Sequence, residues 1–208
     1  MASNYDNTAW FYDPLSRMVF GRSLIKSQTS LLKYIPAKAN ILIVGGGTGW
    51  LLDEITKVHP DGLDVTYVEI SAKMMALSKN RNLGNNNVTF INRAIEDVKF
   101  LRQFDVIFTP FLFDNFTAEN LHRIFNHIHN LLKPDGIWLN TDFQVAGKWW
   151  HKLILQTMYT FFKVFGAVET STMPEIQTLF KQKNYRILSQ QTYYGSFVIS
   201  QAMQKQPA

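Results

Sequence analysis

Residues 41–49 read Ile41-Leu42-Ile43-Val44-Gly45-Gly46-Gly47-Thr48-Gly49, four aliphatic residues that run directly into a glycine-rich segment. A continuous apolar run bounded by turn residues predicts a buried parallel strand. Residues 50–55 carry apolar side chains at helical spacing, so the glycines fall at a strand-to-helix turn. There the missing Cβ atoms let a ligand approach the backbone, and the first N–H groups of the helix have no partner within it. The segment therefore predicts a cofactor cradle.

The spacing of the glycines distinguishes between two kinds of cofactor. The dinucleotide pattern G-x-G-x-x-G, laid on Gly45 and Gly47, requires a glycine at position 50, where this chain has Trp50. The spacing G-x-G-x-G, given by Gly45, Gly47 and Gly49, instead resembles the first motif of class I S-adenosylmethionine-dependent methyltransferases. This resemblance covers most of the chain and rests on several segments in the order that the family has.

The composition is that of one globular domain spanning residues 1–208. Apolar residues make up 46% and charged residues 18%, and the absence of cysteine excludes disulfides and thiolate metal sites. Residues 1–12 show no signal-peptide pattern and no run reaches the roughly 20 apolar residues of a membrane span, so a cytoplasmic protein is expected. The net charge is only +5, and the basic stretches 73–81 and 181–186 are typical of solvated helix faces. We therefore expect no nucleic-acid partner.

The N-terminal segment 5–13 has the pattern Y-D-x-x-A-x-x-Y-D. A helical turn would bring Tyr5, Ala9 and Tyr12 to one side. The pattern resembles the N-terminal segment of quinone-type and related small-molecule methyltransferases, where it covers the cofactor cleft. The resemblance implies that residues 1–36 form a helical lid, with a helix over 23–34 that Pro36 ends. The alternative is an aromatic segment that packs on the domain.

The second strand, predicted over residues 65–70, ends in an acidic residue. Glu69 follows the glycine loop by about 20 residues, the distance at which a carboxylate on the adjacent strand accepts hydrogen bonds from ribose hydroxyls. A carboxylate suits a diol because it offers two acceptor oxygens and no donor. We therefore expect Glu69 to bind the ribose. The alternative is an exposed glutamate at the end of a strand.

Later segments complete the resemblance. Residues 93–98, after a strand at 88–92, resemble the third motif of the family, and residues 131–136 resemble its L-L-K-P-G-G signature, which precedes the fifth strand. A fourth strand is predicted over 104–111. The family motifs imply a set of cofactor-binding residues: Gly45, Gly46, Gly47 and Gly49 for the methionine part, Glu69 for the ribose, Ile70, Met74, Ala94, Ile95 and Glu96 for the adenine, and Thr109 and Pro110 for the sulfonium end.

The order of these segments indicates the fold class. Strands and helices alternate along the chain, with a helix over 118–132, and two adjacent strand segments follow at 185–194 and 197–203. This order predicts an α/β fold: a doubly wound, mostly parallel seven-stranded sheet with an antiparallel edge hairpin.

Two positions depart from the family pattern. Ile43 stands where the family often has an acidic residue that holds the amino group of the cofactor, and Ala94 stands where an acidic residue commonly accepts from the adenine amine. The loss of two charge-assisted contacts leaves two interpretations open. One is an enzyme that transfers a methyl group from S-adenosylmethionine to a small, partly apolar acceptor. The other is a regulatory protein that binds S-adenosylmethionine without catalysis.

Residues 147–172 add an amphipathic insertion to the minimal fold of the family. A polar stripe runs along the otherwise apolar segment 149–165 and consists of Lys148, Lys152, Gln156, Thr160 and Lys163. This arrangement predicts a helix with a broad apolar face. The face has three candidate partners: the sheet, an apolar acceptor in a pocket that the helix walls, and a membrane surface.

The sequence names three candidates for a general base. A hydroxyl or acidic-carbon acceptor needs a base within hydrogen-bond reach, and the candidates are Asp114 after the fourth strand, His151 in the insertion and Tyr12 in the lid. Asp114 has the alternative role of a helix-start residue. Three histidines within 118–132 show no H-E-x-x-H pattern, so we predict no metal site and expect these histidines to be solvated.

Overall fold

A computed structural model gives the structure of the protein and describes residues 6, 9–10, 12–164 and 175–207. The strands are β1 (Asn40–Val44), β2 (Asp61–Val68), β3 (Asn85–Ile91), β4 (Phe104–Pro110), β5 (Leu132–Phe143), β6 (Tyr185–Tyr193) and β7 (Val198–Lys205). They form one seven-stranded sheet in the order β3-β2-β1-β4-β5-β7-β6. Strands β1 to β5 run parallel, whereas β7 pairs antiparallel with both β5 and β6. The predicted fold class is confirmed.

Helices cover the sheet and join its strands. The α-helices of the described residues are α1 (Tyr12–Phe20), α2 (Ser23–Thr29), α3 (Trp50–Val58), α4 (Ala72–Ser78), α5 (Ala118–Leu131), α6 (Trp149–Val164) and α7 (Ile176–Gln182). Single 3₁₀ turns lie at Leu32–Tyr34, Ile95–Asp97 and Phe113–Asn115.

Strand β1 is buried on both faces, as its continuous apolar run predicts. Ile41 and Ile43 belong to a core that contains the apolar side of α3, whereas Leu42 and Val44 belong to a second core with α5 and α7. Successive side chains of a strand point to opposite faces, which explains this division. The glycine-rich turn therefore follows a strand that both cores hold in place.

A third apolar cluster joins α1, α6 and the turn between β6 and β7. It contains Phe20 of α1, Phe143 at the end of β5, Tyr159 of α6, and Phe197, which precedes β7. The ring centroids of Phe20 and Phe143 are 5.5 Å apart, and those of Phe143 and Phe197 are 5.2 Å apart. One face of α6 thus packs on the domain, which is the first of its three candidate partners.

The outer side of α6 retains exposed apolar residues. Trp149 is 78% exposed and Leu153 is 56% exposed. Positions 165–172 of the predicted insertion lie outside the described residues. No helix among the described residues is long and apolar enough to cross a membrane.

Three element boundaries differ from the sequence prediction. The helix expected over 23–34 ends at Thr29, and a 3₁₀ turn follows, because side chains such as Ser27 and Ser30 donate to backbone carbonyls within the segment. Strand β2 begins at Asp61, four residues before the strand predicted over 65–70. Strand β5 begins at Leu132 and so includes residues that the family signature places before the fifth strand; its pairing with β4 is irregular between Leu132 and Ile137.

Candidate functional site

A crevice lies where β1, β2 and β4 end. β1 pairs with β2 on one side and with β4 on the other, so the chain winds away in both directions from this edge of the sheet. Such a point in an open parallel sheet is a common place for a ligand. The crevice has an empty volume of about 1170 Å³, including its mouth to solvent.

The glycine-rich loop forms one wall of the crevice. Gly45 and Gly47 adopt positive φ angles of +70° and +63°, which residues with a Cβ adopt only with strain. A Cβ atom at Gly46 would lie 2.3 Å from the ring of Tyr67, whereas one at Gly47 would meet only the sulfur of Met74, at 3.7 Å. The loop is therefore packed tightly behind Gly46, and its backbone is accessible at Gly47.

Glu69 lies beside this loop and is 5% exposed. Its Oε2 accepts a 2.9 Å hydrogen bond from the N–H of Gly47, and its Oε1 accepts a 2.8 Å bond from the N–H of Ser71. Burial raises the pKa of Glu69, and the backbone hydrogen bonds from Ser71 and Gly47 oppose that rise. Each carboxylate oxygen has a second lone pair, so the group can still accept from a ligand hydroxyl. The alternative of an exposed strand-end glutamate is wrong.

Most of the predicted cofactor-binding residues lie along this crevice. The lining includes Gly45, Gly46, Gly47, Glu69, Ile70, Met74, Ala94, Ile95, Glu96 and Pro110. They come from the ends of β1, β2 and β4, from the start of α4 and from the 3₁₀ turn at Ile95–Asp97. The structure thus brings together residues that are far apart in the sequence.

Gly49 is not among the residues that line the crevice. Its φ angle is +80°, and a Cβ atom there would lie 2.5 Å from the Cβ of Ser78 in α4. This glycine allows the start of α3 to pack closely on α4. The structure therefore places Gly49 between α3 and α4 rather than along the crevice, where the motif predicted it.

Thr109 is also outside the crevice. Its hydroxyl is fully buried, donates a 2.8 Å hydrogen bond to Oδ1 of Asn140 and accepts a 2.9 Å bond from Nε1 of Trp138. Neighbouring side chains on a strand point to opposite faces, so Pro110 lines the crevice and Thr109 does not. The structure therefore places Pro110 along the crevice and Thr109 behind it, and the contact of Pro110 with the sulfonium end stays a prediction.

The N-terminal segment contacts the glycine-rich loop through Asp13 and the start of α4 through Asp6. The carboxylate of Asp13 accepts hydrogen bonds of 2.8 and 3.0 Å from the hydroxyl of Thr48 and lies 3.4 Å from Nη2 of Arg81. The carboxylate of Asp6 accepts a 2.6 Å bond from the hydroxyl of Ser71, at the start of α4. The sequence prediction named the tyrosines of the 5–13 pattern and missed these aspartates, although the same pattern contains both.

The tyrosines of that pattern cannot be compared in the same way. Tyr5 lies outside the described residues, and so does the side chain of Tyr12, although its backbone begins α1. Ala9, between them, is 5% exposed. Tyr12 accordingly stays a sequence prediction.

The far end of the crevice is aromatic and contains a buried carboxyl group. Its lining includes Phe111, Phe116, Phe143, Met158 and Tyr159. The phenol of Tyr159 donates a 3.3 Å hydrogen bond to the backbone carbonyl of Asp114. Asp114 is 8% exposed and also lines the crevice. It belongs to the 3₁₀ turn Phe113–Asn115, before the start of α5 at Ala118.

A second carboxyl group, that of Asp142 in β5, lies behind Asp114. It is 2% exposed; its Oδ2 accepts a 3.2 Å hydrogen bond from the N–H of Phe113, and its Oδ1 accepts a 2.9 Å bond from the N–H of Phe143. Burial raises the pKa of Asp142 to about 7. Burial, and secondly the charge of Asp142, raise the pKa of Asp114 well above its usual value. Sequence reasoning missed Asp142, whose only signal is that it is the one charged residue in the stretch 137–143.

His151 lies away from the crevice and is fully buried. Its Nδ1 accepts a 3.0 Å hydrogen bond from the N–H of Ala146, and its Nε2 lies 3.1 Å from the carbonyl oxygen of Gly195. The first bond requires an unprotonated Nδ1, so Nε2 carries the proton and donates to Gly195. Both ring nitrogens are used to hold the backbone, and the prediction of His151 as a candidate base is therefore wrong.

The three histidines of α5 form no metal site. No cluster of metal-ligating side chains occurs among the residues that the structure describes. His122 is exposed, but Nε2 of His127 is buried and Nδ1 of His129 lies 2.9 Å from the hydroxyl of Tyr185. Burial and the charges of nearby lysines lower the pKa of His129 to about 4. The expectation that all three are solvated is wrong for His127 and His129.

The crevice is acidic. Its described lining contains four carboxyl groups and one guanidinium, that of Arg93; the carboxyl groups belong to Asp13, Glu69, Glu96 and Asp114. Arg81 and Arg123, from outside the lining, pair with Asp13 and Glu96. A concave site lined by one sign of charge concentrates ligands of the opposite sign. The site therefore suits a ligand that carries a positive charge near its centre.

Comparison with known proteins gives the site a family context. Residues 41–136 match a protein family described as a methyltransferase domain. The malonyl-[acyl-carrier protein] O-methyltransferase 2 of Ilyobacter polytropus is 30% identical over 104 residues, which cover 50% of this chain and 39% of that protein. The chain spans about two fifths of the length of the curated relatives it matches, since the corresponding Bacillus cereus protein is covered to 38%.

Two solved structures share the fold across nearly the whole chain. The DhpI–SAH complex superimposes with a TM-score of 0.70 at 16% identity, over 98% of this chain and 94% of that chain. The Burkholderia thailandensis 1,6-didemethyltoxoflavin-N1-methyltransferase, with bound 1,6-didemethyltoxoflavin and S-adenosylhomocysteine, superimposes with a TM-score of 0.66 at 14% identity, over 95% and 84% of the two chains.

The sequence match covers one end of the crevice more completely than the other. Every residue of the predicted cofactor set, from Gly45 to Pro110, falls within residues 41–136. Asp13 of α1, Asp142 and Phe143 of β5, and Tyr159 of α6 fall outside them. The sequence match thus spans the predicted cofactor-binding residues, and much of the opposite end of the crevice is formed by parts of the chain outside the match.

Proposed function

Because this chain belongs to the class I S-adenosylmethionine-dependent methyltransferases, whose cofactor is S-adenosylmethionine, we propose that it transfers a methyl group to a small, partly apolar acceptor. One observation carries the proposal. A single crevice has a glycine-rich loop with a buried carboxylate at one end and an aromatic pocket with a second buried carboxyl group at the other.

The cofactor end fits the adenosyl and methionine parts of S-adenosylmethionine. Gly47 presents its backbone to the crevice, and Glu69 keeps free lone pairs for the ribose hydroxyls. Ile70 and Met74, with Ala94 and Ile95 opposite, offer apolar surface to the adenine. The excess of carboxylates suits the positive charge on sulfur. We assign these residues to cofactor binding.

The acceptor end fits an aromatic or otherwise apolar ligand with one protic group. The rings of Phe111, Phe116 and Phe143 supply apolar surface, and Asp114 supplies a group that exchanges protons. S-adenosylmethionine brings an already activated methyl group, so the chain has to orient the acceptor, exclude water and remove a proton. We assign the last role to Asp114.

An oxygen acceptor accounts for these features best. A hydroxyl group must lose its proton as it becomes methylated, and a carboxylate with a raised pKa is a suitable base near neutral pH. The named activity of the two curated relatives is also O-methylation. We therefore favour a small hydroxyl compound with an apolar body over a highly polar acceptor.

Calorimetry with the full chain tests the cofactor assignment. We expect S-adenosylmethionine and S-adenosylhomocysteine to bind one site per chain and NAD to show no binding, because Trp50 occupies the place of the last dinucleotide glycine. A radiolabelled methyl donor with a panel of phenols, aliphatic alcohols, carboxylic acids and polyols then tests the acceptor class. Label transfer to polyols alone would contradict the apolar acceptor, and binding of NAD in preference to both adenosyl ligands would contradict the cofactor.

A further inference from the structure

Asp114 and Asp142 form a pair of buried carboxyl groups that the backbone arranges for unequal roles. Two backbone N–H groups, those of Phe113 and Phe143, donate to Asp142. Asp114 accepts instead from the side-chain amide of Asn115, at 2.8 Å, and faces the crevice. Because Phe113 is the first residue of the turn that carries Asp114, the carboxylate of Asp142 also fixes the position of Asp114. Asp142 is thus a positioning residue, and Asp114 is the member of the pair that a ligand can reach.

The surroundings of the pair contain little positive charge. Tyr159 of α6 contacts the backbone of Asp114. The carboxyl groups of Asp13 in α1 and of Glu69 after β2 line the same crevice. Beyond β3, the lining contains one positive charge, on Arg93, and one negative charge, on Glu96. Among the described residues that line the crevice there is no lysine or histidine. Two neighbouring carboxylates in such a place cannot both ionise at low cost. The raised pKa values of both groups agree with this arrangement.

We propose that the Asp114–Asp142 pair holds one proton in the free protein and releases it to solvent when a sulfonium enters the crevice. The inference rests on the proposed function, since it takes S-adenosylmethionine as the ligand. A full positive charge in a partly buried site stabilises nearby carboxylates. Asp114, the member of the pair that a ligand can reach, therefore becomes a base when the methyl donor is bound.

The protons that the pair releases and takes up balance over one catalytic cycle. Asp114 takes the proton of the acceptor hydroxyl as its oxygen bonds to the methyl carbon and the electron pair of the broken carbon–sulfur bond stays on sulfur. The positive charge in the site is then gone, and the pair is again protonated, which is its state in the free protein. The same coupling predicts that the affinity for S-adenosylmethionine increases with pH near 7, whereas the affinity for S-adenosylhomocysteine does not.

Calorimetry in buffers of different ionisation enthalpy counts the released protons. At pH 7, S-adenosylmethionine should release a larger fraction of a proton than S-adenosylhomocysteine, because only the first ligand brings a positive charge beside the pair. The difference between the two ligands is the decisive quantity. Glu69 is also buried and lines the same crevice, so variants of the pair are needed to separate its contribution from that of Asp114 and Asp142.

Variants assign the proton to this pair. We expect the difference between the ligands to decrease in Asp114→Asn and to disappear in Asp114→Asn/Asp142→Asn, while both proteins still bind S-adenosylhomocysteine, which also reports that they are folded. Glu119→Gln, an exposed position on α5, serves as the control and should keep the full difference.

Three outcomes would overturn the inference, and only the third of them would also overturn the proposed function. Equal proton release by the two ligands in the wild-type protein overturns the coupling alone. An unchanged difference in the double variant overturns the assignment to this pair. Absence of binding by either ligand overturns the proposed function and the inference together.

Discussion

Ile43 lies directly opposite Tyr67 in the parallel pairing of β1 and β2, and both side chains are fully buried in the same core. The hydroxyl of Tyr67 donates a 2.9 Å hydrogen bond to the carbonyl oxygen of Gly47. Burial raises the pKa of Tyr67 well above its ordinary value, so the phenol remains a donor. At the position where the family often has an acidic residue, this chain thus has a core aliphatic residue, and a neighbouring phenol holds the glycine loop.

The hydrogen bond from Tyr67 predicts a measurable loss of cofactor affinity in Tyr67→Phe. Removing the hydroxyl leaves the carbonyl of Gly47 without its donor and loosens the loop, at a cost of about 1 kcal/mol, or roughly fivefold in Kd. Calorimetric titration with S-adenosylhomocysteine measures the change. Tyr193→Phe removes an exposed phenol from β6 and should leave Kd unchanged. Equal affinities in wild type and Tyr67→Phe would show that the bond does not position the loop.

The two backbone bonds to Glu69 predict a larger effect for Glu69→Gln. A carboxamide can accept from only one of the N–H groups of Gly47 and Ser71, and its own NH₂ faces the other. We expect the Kd for S-adenosylmethionine to increase by about one to two orders of magnitude, through the lost ribose acceptor and the unsatisfied buried donor. Titrations of this variant and of Glu119→Gln provide the measurement. A Kd within twofold of wild type would exclude Glu69 from the binding site.

The buried carboxyl of Asp142 predicts that stability falls as pH rises. Its pKa is about 7 in the folded protein and about 4 in the unfolded chain, so its protonated form favours folding. The stability linked to this group is fully present below pH 4 and is lost as pH rises through 7. The difference corresponds to roughly 4 kcal/mol at most.

Urea unfolding at pH 5 and pH 8 tests this dependence. The free energy of unfolding of wild type should decrease between the two pH values by more than that of Asp142→Asn, which cannot ionise. Asp61→Asn, at an exposed position of β2, should follow the wild-type curve. Parallel curves for wild type and Asp142→Asn would contradict a raised pKa at Asp142.

Asp13 predicts a contribution of the N-terminal helix to cofactor binding. Its carboxylate joins α1 to Thr48 of the glycine loop and to Arg81. Because these groups are partly exposed, we expect Asp13→Asn to weaken binding of S-adenosylmethionine by only about two- to fivefold. Asp53→Asn removes the other carboxylate that pairs with Arg81, at 3.2 Å, without touching Thr48. An equal loss of affinity in the two variants would assign the effect to Arg81 rather than to α1.

The elements with strong periodicity could be predicted from the sequence. The apolar run of β1, the glycine turn and the acidic end of β2 gave the position of the crevice, because parallel strands end at a common edge. Glu69 could be identified from its spacing alone. These predictions depend on local sequence patterns, which can be recognised without knowledge of the tertiary structure.

The errors arise where a role depends on which way a side chain points or on a distant partner. Thr109 and Pro110 are adjacent, but only one of them faces the crevice. Gly49 matches the motif and is required by Ser78, from another helix. His151 has the chemistry of a base and is fully used by backbone groups of Ala146 and Gly195. Asp142 is separated from Asp114 by 28 residues of sequence, and only the pairing of β4 with β5 brings them together.

The aromatic cluster around Phe143 has a consequence for recombining this protein with its relatives. Phe143 forms part of the aromatic wall of the crevice and contacts Phe20 from the first helix and Phe197 from the last hairpin. A chimera that exchanges only one end of the chain would place contact residues from two different parents around Phe143. The mismatch would shift that wall. Grafts intended to transfer acceptor preference should therefore carry both ends of the chain as one unit.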